Sequence, residues 1–283
     1  MAKESRFRLG ITHGDVNGIG YEVILKALSD QRMLESMTPI IYGSSKAASY
    51  HRKTIKTNVN FQSIQHLDEA SAKAVNVLNV TNEEIRIELG TTSPASGEIA
   101  VLALRRAMTD LKEGRIDAMV TAPIDKKAVQ SESFRYSGHT EFLAAETAVK
   151  DYLMLMVSPQ LRIGMVTGHI PLSSVAGALT QEKIESKLNI LDYSLRQDFG
   201  VIRPRIAVLG LNPHASDDGL LGEEEHKIIS PVIERANASG KLVFGPYPSD
   251  GFFGAMGHLK FDGVLAMYHD QGLIPFKLTA FHE

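Results

Sequence analysis

The sequence predicts an α/β protein with a mostly parallel sheet, and two observations carry that prediction. Short apolar runs alternate with longer segments of 3.6-residue periodicity along most of the 283 residues. Several of those runs are nearly continuous in Val, Ile, Leu, Met and Ala, as strands covered on both faces are.

Taken in order, strands are expected at 7–12, 39–42, 75–80, 116–121, 152–157, 162–167, 205–211 and 263–268. The first leads through Gly14-Asp15-Val16-Asn17-Gly18-Ile19-Gly20, which fits neither G-x-G-x-x-G nor the Walker A pattern. A tight strand-to-helix turn is the expectation there. The clearest helix spans 94–113, with Val101, Leu104, Met108 and Leu111 on one stripe. Ser93 is placed to cap it, Pro94 to open it and Gly114 to stop it. The strand at 116–121 runs into Thr121-Ala-Pro-Ile-Asp-Lys126, which makes Lys126 a candidate site residue beside a carboxylate. Gly138-His139-Thr140-Glu141 precedes an apolar helix at 142–149, with Thr140 as its expected hydroxyl cap. Free amides at such a start suit a phosphate or carboxylate. Two more helices are expected at about 182–198 and 222–239, the second opening on Glu223, Glu224 and Glu225. The pre-proline position of Ile274 predicts an extended, ordered connection leading to Lys277.

Three histidines share a placement. His169, His214 and His269 each follow the C-terminal end of an expected buried strand, the edge where open α/β sheets bind ligands. Three neutral imidazoles suit zinc, cobalt, iron or nickel and leave a coordination position for water or substrate; a loop histidine bonded to backbone is the plainer alternative for each. Asp250 and Asp270, near expected strand or loop ends, are candidate proton acceptors, although most such aspartates are turn residues. Lys277 follows the third histidine closely enough to pair with a substrate phosphate.

Composition removes several classes. With 30 Lys and Arg against 33 Asp and Glu and no basic block, nothing marks a nucleic-acid surface. The absence of cysteine excludes disulfides, cysteine-ligated metals and thiol nucleophiles. No apolar run approaches the ~18 residues of a membrane helix, and the N-terminus does not read as a secretory signal, so a cytoplasmic protein is expected. No repeat or linker marks a lobe boundary.

The motifs Gly-Asp-x-x-Gly-Ile-Gly at 14–20, Thr-Ala-Pro-Ile-Asp-Lys at 121–126 and Gly-His-Thr-Glu-Phe at 138–142 occur in order with two others. These are Leu-Asn-Pro-His-Ala at 211–215 and Ala-Met-Tyr-His-Asp-Gln-Gly at 266–272. Together they resemble the 4-hydroxythreonine-4-phosphate dehydrogenase family over essentially the whole chain. The resemblance implies an isocitrate/isopropylmalate dehydrogenase-like fold of two α/β/α lobes around a cleft, working as a homodimer. It implies a divalent metal (zinc, magnesium or cobalt) at the dimer interface, held by residues matching His169, His214 and His269. His139, Thr140 and Lys277 match substrate contacts. The implied reaction is NAD- or NADP-linked oxidation of 4-phosphooxy-L-threonine, with loss of carbon dioxide, to 3-amino-2-oxopropyl phosphate on the route to pyridoxal phosphate. A cation beside the reacting hydroxyl makes its deprotonation accessible near neutral pH. Asp250 or Asp270 either takes that proton or orients a metal-binding imidazole.

Relatives of the same kind oxidise 4-phosphorylated threonates or erythronates, or cyclic dihydrodiols, and a non-catalytic metabolite-binding protein and a hydrolase with a three-His metal are the readings from other classes. Two departures stand out. Typical members read Gly-Asp/Glu-Pro-Ala-Gly-Ile-Gly-Pro, whereas Val16, Asn17 and Tyr21 occupy those variable places here. Members also continue past the position of Glu283 with further substrate contacts and a His-Gly-Thr-Ala stretch for the nucleotide, so no NAD-binding residue is assigned.

Overall fold

The computed structural model describes residues 6–281. The chain divides into two compact units, Met1–Ala148 and Val149–Glu283.

The first unit runs β1 Arg8–Thr12, α1 Gly20–Ala27, α2 Met33–Ser36, β2 Thr38–Gly43, α3 Ser45–Thr54, β3 Phe61–Ile64, β4 Val75–Asn79, α4 Pro94–Lys112, β5 Ala118–Thr121 and α5 His139–Glu146. Its sheet has the order β3-β4-β2-β1-β5, and every pairing is parallel. Strand alternation divides the apolar side chains between two faces. Ile11, Ile41, Val75 and Val77 pack with α1 and α3 through Tyr21, Leu25, Ala47 and Ala48. Ile40, Tyr42 and Leu78 pack with α4 through Ala103 and Ala107. The caps of α4 are those the sequence predicts: Ser93 Oγ accepts from the Ser96 N–H at 3.1 Å, Pro94 opens the helix, and Gly114 takes φ 67°. Its apolar stripe is buried at Val101, Leu104 and Met108.

The second unit runs β6 Met154–Val157, β7 Arg162–Met165, α6 Val175–Ala178, α7 Gln181–Gln197, β8 Arg205–Leu209, α8 Ser230–Ala238, β9 Leu242–Tyr247, α9 Ser249–Gly254, β10 Gly263–Ala266 and α10 His269–Ala280. The sheet order is β6-β7-β10-β8-β9, parallel except for the antiparallel edge strand β6. Ile206, Val208 and Leu265 face α7 and α8, while Ala207, Leu209, Val264 and Ala266 face α9 and α10. Both units are therefore helix-covered parallel sheets, as the near-continuous apolar runs predict.

Four local expectations are corrected. β3 and β9 were not anticipated. β3 is a four-residue edge strand with an exposed polar pair, and β9 contains Gly245-Pro246, which reads as a turn although Pro is tolerated at a sheet edge. Lys277 lies within α10, not in an extended connection, because Leu273 and Phe276 on either side of Pro275 are buried against the sheet. That packing outweighs the pre-proline bias at Ile274. Thr140 is not a cap: α5 starts at His139 behind an extended Gly138, with no side-chain cap, and Thr140 is exposed in the first turn. The helix expected at 222–239 is a π-helical turn, Glu225–Ile229, followed by α8.

Candidate active site

The three strands that lead to the histidines are neighbours. β10 lies between β7 and β8, all three are parallel, and His169, His269 and His214 follow their C-terminal ends. His269 is the first residue of α10. Its ring lies 5.2 Å, centre to centre, from that of His169. Nδ1 of His269 is 2.7 Å from Oδ1 of Asp270, so the protonated Nδ1 donates to the carboxylate and Nε2 remains free. Two imidazoles on one tetrahedral ion, with bonds of ~2.1 Å, place their ring centres roughly 5 Å apart. A carboxylate on the distal nitrogen is the usual outer partner of such a ligand. The pair thus fits two positions of a metal site. Among the described residues no three His, Asp or Glu side chains gather as a metal-holding group, so His214 does not join the pair within one copy. A cavity of about 430 Å³ opens beside it, lined in part by Gly168, His169, Ile170, Tyr268, His269 and Asp270.

Gln271 carries no ligand or capping signal in the sequence, yet it ties this edge together. Its buried side chain accepts from the Met267 N–H at 2.6 Å and donates to the Gly210 carbonyl at 2.6 Å and to Ser249 Oγ at 2.7 Å. One amide therefore links the ends of β10 and β8 to the start of α9, where the exposed Asp250 stands. The only signal in the sequence was its place in Tyr-His-Asp-Gln-Gly.

His214 sits in a rare conformation. Residues His214, Ala215, Ser216, Asp217 and Asp218 all have positive φ, between 46° and 72°. Left-handed backbone costs an L-residue about 1–2 kcal/mol, so this turn persists only because its surroundings hold it.

In the first unit His139 is half-buried, and its Nε2 is enclosed without a hydrogen-bond partner. Burial, reinforced by the Lys126 ammonium, holds its pKa below the ordinary imidazole range, so it is neutral at pH 7. His139, Thr140 and Lys126 belong to this unit; Lys277, exposed on α10, belongs to the other, with its Nζ 5.8 Å from the Phe281 ring centre.

The profile of the pyridoxal phosphate biosynthetic protein PdxA matches residues 35–283. A 4-hydroxythreonine-4-phosphate dehydrogenase of Bacteroides thetaiotaomicron is 47% identical over 282 residues, covering 99% of this chain and 78% of the relative. The chain belongs to the PdxA family. A D-threonate 4-phosphate dehydrogenase of Salmonella typhimurium is 36% identical over 279 residues, covering 97% of this chain and 85% of its own length. The crystal structure of 4-hydroxythreonine-4-phosphate dehydrogenase from Klebsiella pneumoniae superposes with a TM-score of 0.87 at 34% identity, covering all of this chain and 86% of that one. The relatives are named as dehydrogenases, and the chain is a dehydrogenase-like oxidoreductase of this family.

Against the usual PdxA loop, Val16, Asn17 and Tyr21 are all buried packing residues. Asn17 pins a separate segment: its Nδ2 donates to the Thr91 carbonyl at 3.0 Å and its Oδ1 accepts from the Glu88 N–H at 2.9 Å. Thr92 in turn donates to Asp125, next to Lys126, and this bond with two backbone N–H donors lowers the Asp125 pKa. The glycines of this PdxA loop answer to close packing. A Cβ on Gly14 (φ 73°) would stand 2.2 Å from the Pro123 carbonyl oxygen, and one on Gly20 would stand 2.0 Å from that of His13. The Asp15, Asn17 and Gly18 amides are used within the turn or on Pro123. The segment is a packed strand-to-helix turn, and no nucleotide-binding residue is assigned to it.

Proposed function

We propose that this chain is a metal-dependent, NAD(P)-linked dehydrogenase that oxidises and decarboxylates 4-phosphooxy-L-threonine to 3-amino-2-oxopropyl phosphate, in pyridoxal phosphate biosynthesis. The observation that carries the reading is the His169–His269 pair, with Asp270 on the distal nitrogen, beside a cavity at the C-terminal edge of a parallel sheet. The names of the relatives support the chemistry.

In this reading His169, His269 and His214 hold one divalent ion, zinc, magnesium or cobalt, at the interface of a cytoplasmic homodimer. A second copy of the chain completes the imidazole set. The bound ion supplies Lewis-acid stabilisation of negative charge on the C3 oxygen, and the nicotinamide supplies the hydride acceptor. Asp270 orients His269 through its hydrogen bond. Asp250 is the residue assigned to accept the hydroxyl proton as the C3 hydride leaves. Carbon dioxide then departs from the β-keto acid, and its electron pair enters an enolate that is reprotonated at carbon. His139 and Thr140 at the start of α5, with the ammonium groups of Lys126 and Lys277, bind the substrate's polar groups.

A second reading, oxidation of a 4-phosphorylated threonate or erythronate, is favoured by the similarity to the Salmonella D-threonate 4-phosphate dehydrogenase. Reduced nicotinamide formation by the purified protein, measured with both phosphorylated acids in turn, decides between them. Faster turnover of 4-phosphooxy-L-threonine, with carbon dioxide release, is expected. Turnover of D-threonate 4-phosphate alone would transfer the proposal to the second reading, and no reduction of NAD or NADP with either acid would remove both.

A further inference from the structure

We propose that Glu225 is a positioning residue for His214, holding in place the left-handed turn that carries its imidazole. The proposal rests on the reading of His214 as a metal-holding residue. Five successive non-glycine residues, 214–218, have positive φ, so the turn needs ties from outside itself. Its exit is closed by its own residues: the Ser216 carbonyl accepts from the Leu221 N–H at 2.9 Å, and Ser216 Oγ accepts from the Gly219 N–H at 3.2 Å.

Its entrance is held chiefly by one buried carboxylate, while Glu224 Oε2 also accepts from Asn212 Nδ2 at 2.8 Å and fixes the orientation of that amide. Glu225 Oε1 accepts from the Leu211 and Asn212 N–H groups, both at 2.7 Å, and Oε2 accepts from Asn212 Nδ2 at 2.9 Å. All three donors lie on the two residues immediately before Pro213 and His214. Glu225 itself opens the π-helical turn that precedes α8, a backbone irregularity that accompanies functional sites more often than chance. Two rare conformations therefore meet at one side chain, and that side chain ends at the approach to His214. A carboxylate suits the place because both of its oxygens accept. Gln would turn an N–H₂ group toward Asn212 Nδ2, donor against donor.

The test is a Co²⁺ titration of the metal-free protein, followed by its absorption spectrum, for the parent, His214→Ala, Glu225→Gln and Glu225→Gln combined with Ala215→Gly. Amide hydrogen exchange over 210–222, without metal, reads the turn directly. Glu225→Gln is expected to weaken Co²⁺ binding ~10-fold, the low end of the effect of losing a group that bonds a ligand directly, and to speed exchange at Leu211 and Asn212. The low end applies because Glu225 acts on His214 through those two residues. Adding Ala215→Gly, which removes the Cβ from a left-handed position, is expected to restore part of the affinity. Asn212→Ala removes one donor of the three and, should Glu225→Gln fail to fold, carries the same test with a smaller expected loss. Parent-like Co²⁺ affinity and exchange in the Glu225 variant, or in Asn212→Ala where that stands in, overturn the proposal while His214→Ala still loses metal. Co²⁺ binding by His214→Ala equal to the parent's overturns the metal reading of His214 and this role with it.

Discussion

His13 is fully buried, with its ring stacked 5.2 Å from that of Tyr21, which stacks in turn on His51. Burial pushes the His13 pKa down to about 4 from an ordinary 6.5, and the charge on His51 acts in the same direction. Between those two values the unfolded chain binds a proton that the folded one refuses. Its contribution to stability is therefore complete above pH 6.5 and is lost as the pH falls toward 4, by roughly 3 kcal/mol. His51, also lowered by burial, adds to the same acid limb. Thermal unfolding followed from pH 8 to pH 4.5 should show Tm falling below pH 6.5, with a shallower fall in His13→Phe. Equal slopes for the two proteins would remove His13 from the account. Lys277 makes the opposite case, since it is exposed and contributes little to the fold. Lys277→Met should raise the substrate KM strongly, with normal metal content and only a small change in Tm; parent-like kinetics would make it a solvated surface lysine. At this scale the candidates legible in the sequence were residues placed by strand ends. Gln271 and Glu225 were not legible, because each acts through contacts with segments the pattern does not connect, such as Gln271 with Gly210 and Ser249.

Elements with internal periodicity or capping chemistry were readable, and α4 with Ser93, Pro94 and Gly114 is the clearest. Elements defined by what they pack against were not. β3 and β9 are edge strands with half their residues facing outward or interrupted by Gly-Pro, and α10 is helical through Pro275 because Leu273 and Phe276 are buried. The segment 88–93 has no regular structure, yet Asn17 ties it down and also bonds Ser93 Oγ at 3.3 Å, which touches the cap of α4. Asn17→Ala would leave the Glu88 N–H and the Thr91 carbonyl without their partner. Glu88 and Thr91 are exposed, so water can replace the lost partner, and the expected cost is about 1 kcal/mol, the net worth of such bonds. Hydrogen exchange should accelerate over 84–93 and leave the second unit unchanged. Unaltered protection of Glu88 in that variant would show that the loop is held by other contacts.

For the molecule as a whole, the proposed metal site joins one copy of the chain to another. Adjacent strands lie ~4.8 Å apart, so the outer pair of three neighbours is separated by roughly 10 Å. β7 and β8 are that outer pair, with β10 between them, and the ring of His269 has already turned toward His169. In the function proposed above the third imidazole comes from a second copy, and that proposal makes metal binding and self-association two sides of one equilibrium. Each must strengthen the other by the same factor. Co²⁺ affinity should therefore fall as the protein is diluted through its dimer–monomer transition, and chelation should shift sedimentation toward the monomer. His214→Ala should uncouple the two, with weak metal binding that no longer depends on protein concentration. A monomer that binds Co²⁺ as tightly as the concentrated protein would remove the shared site and require all the ligands to come from one chain.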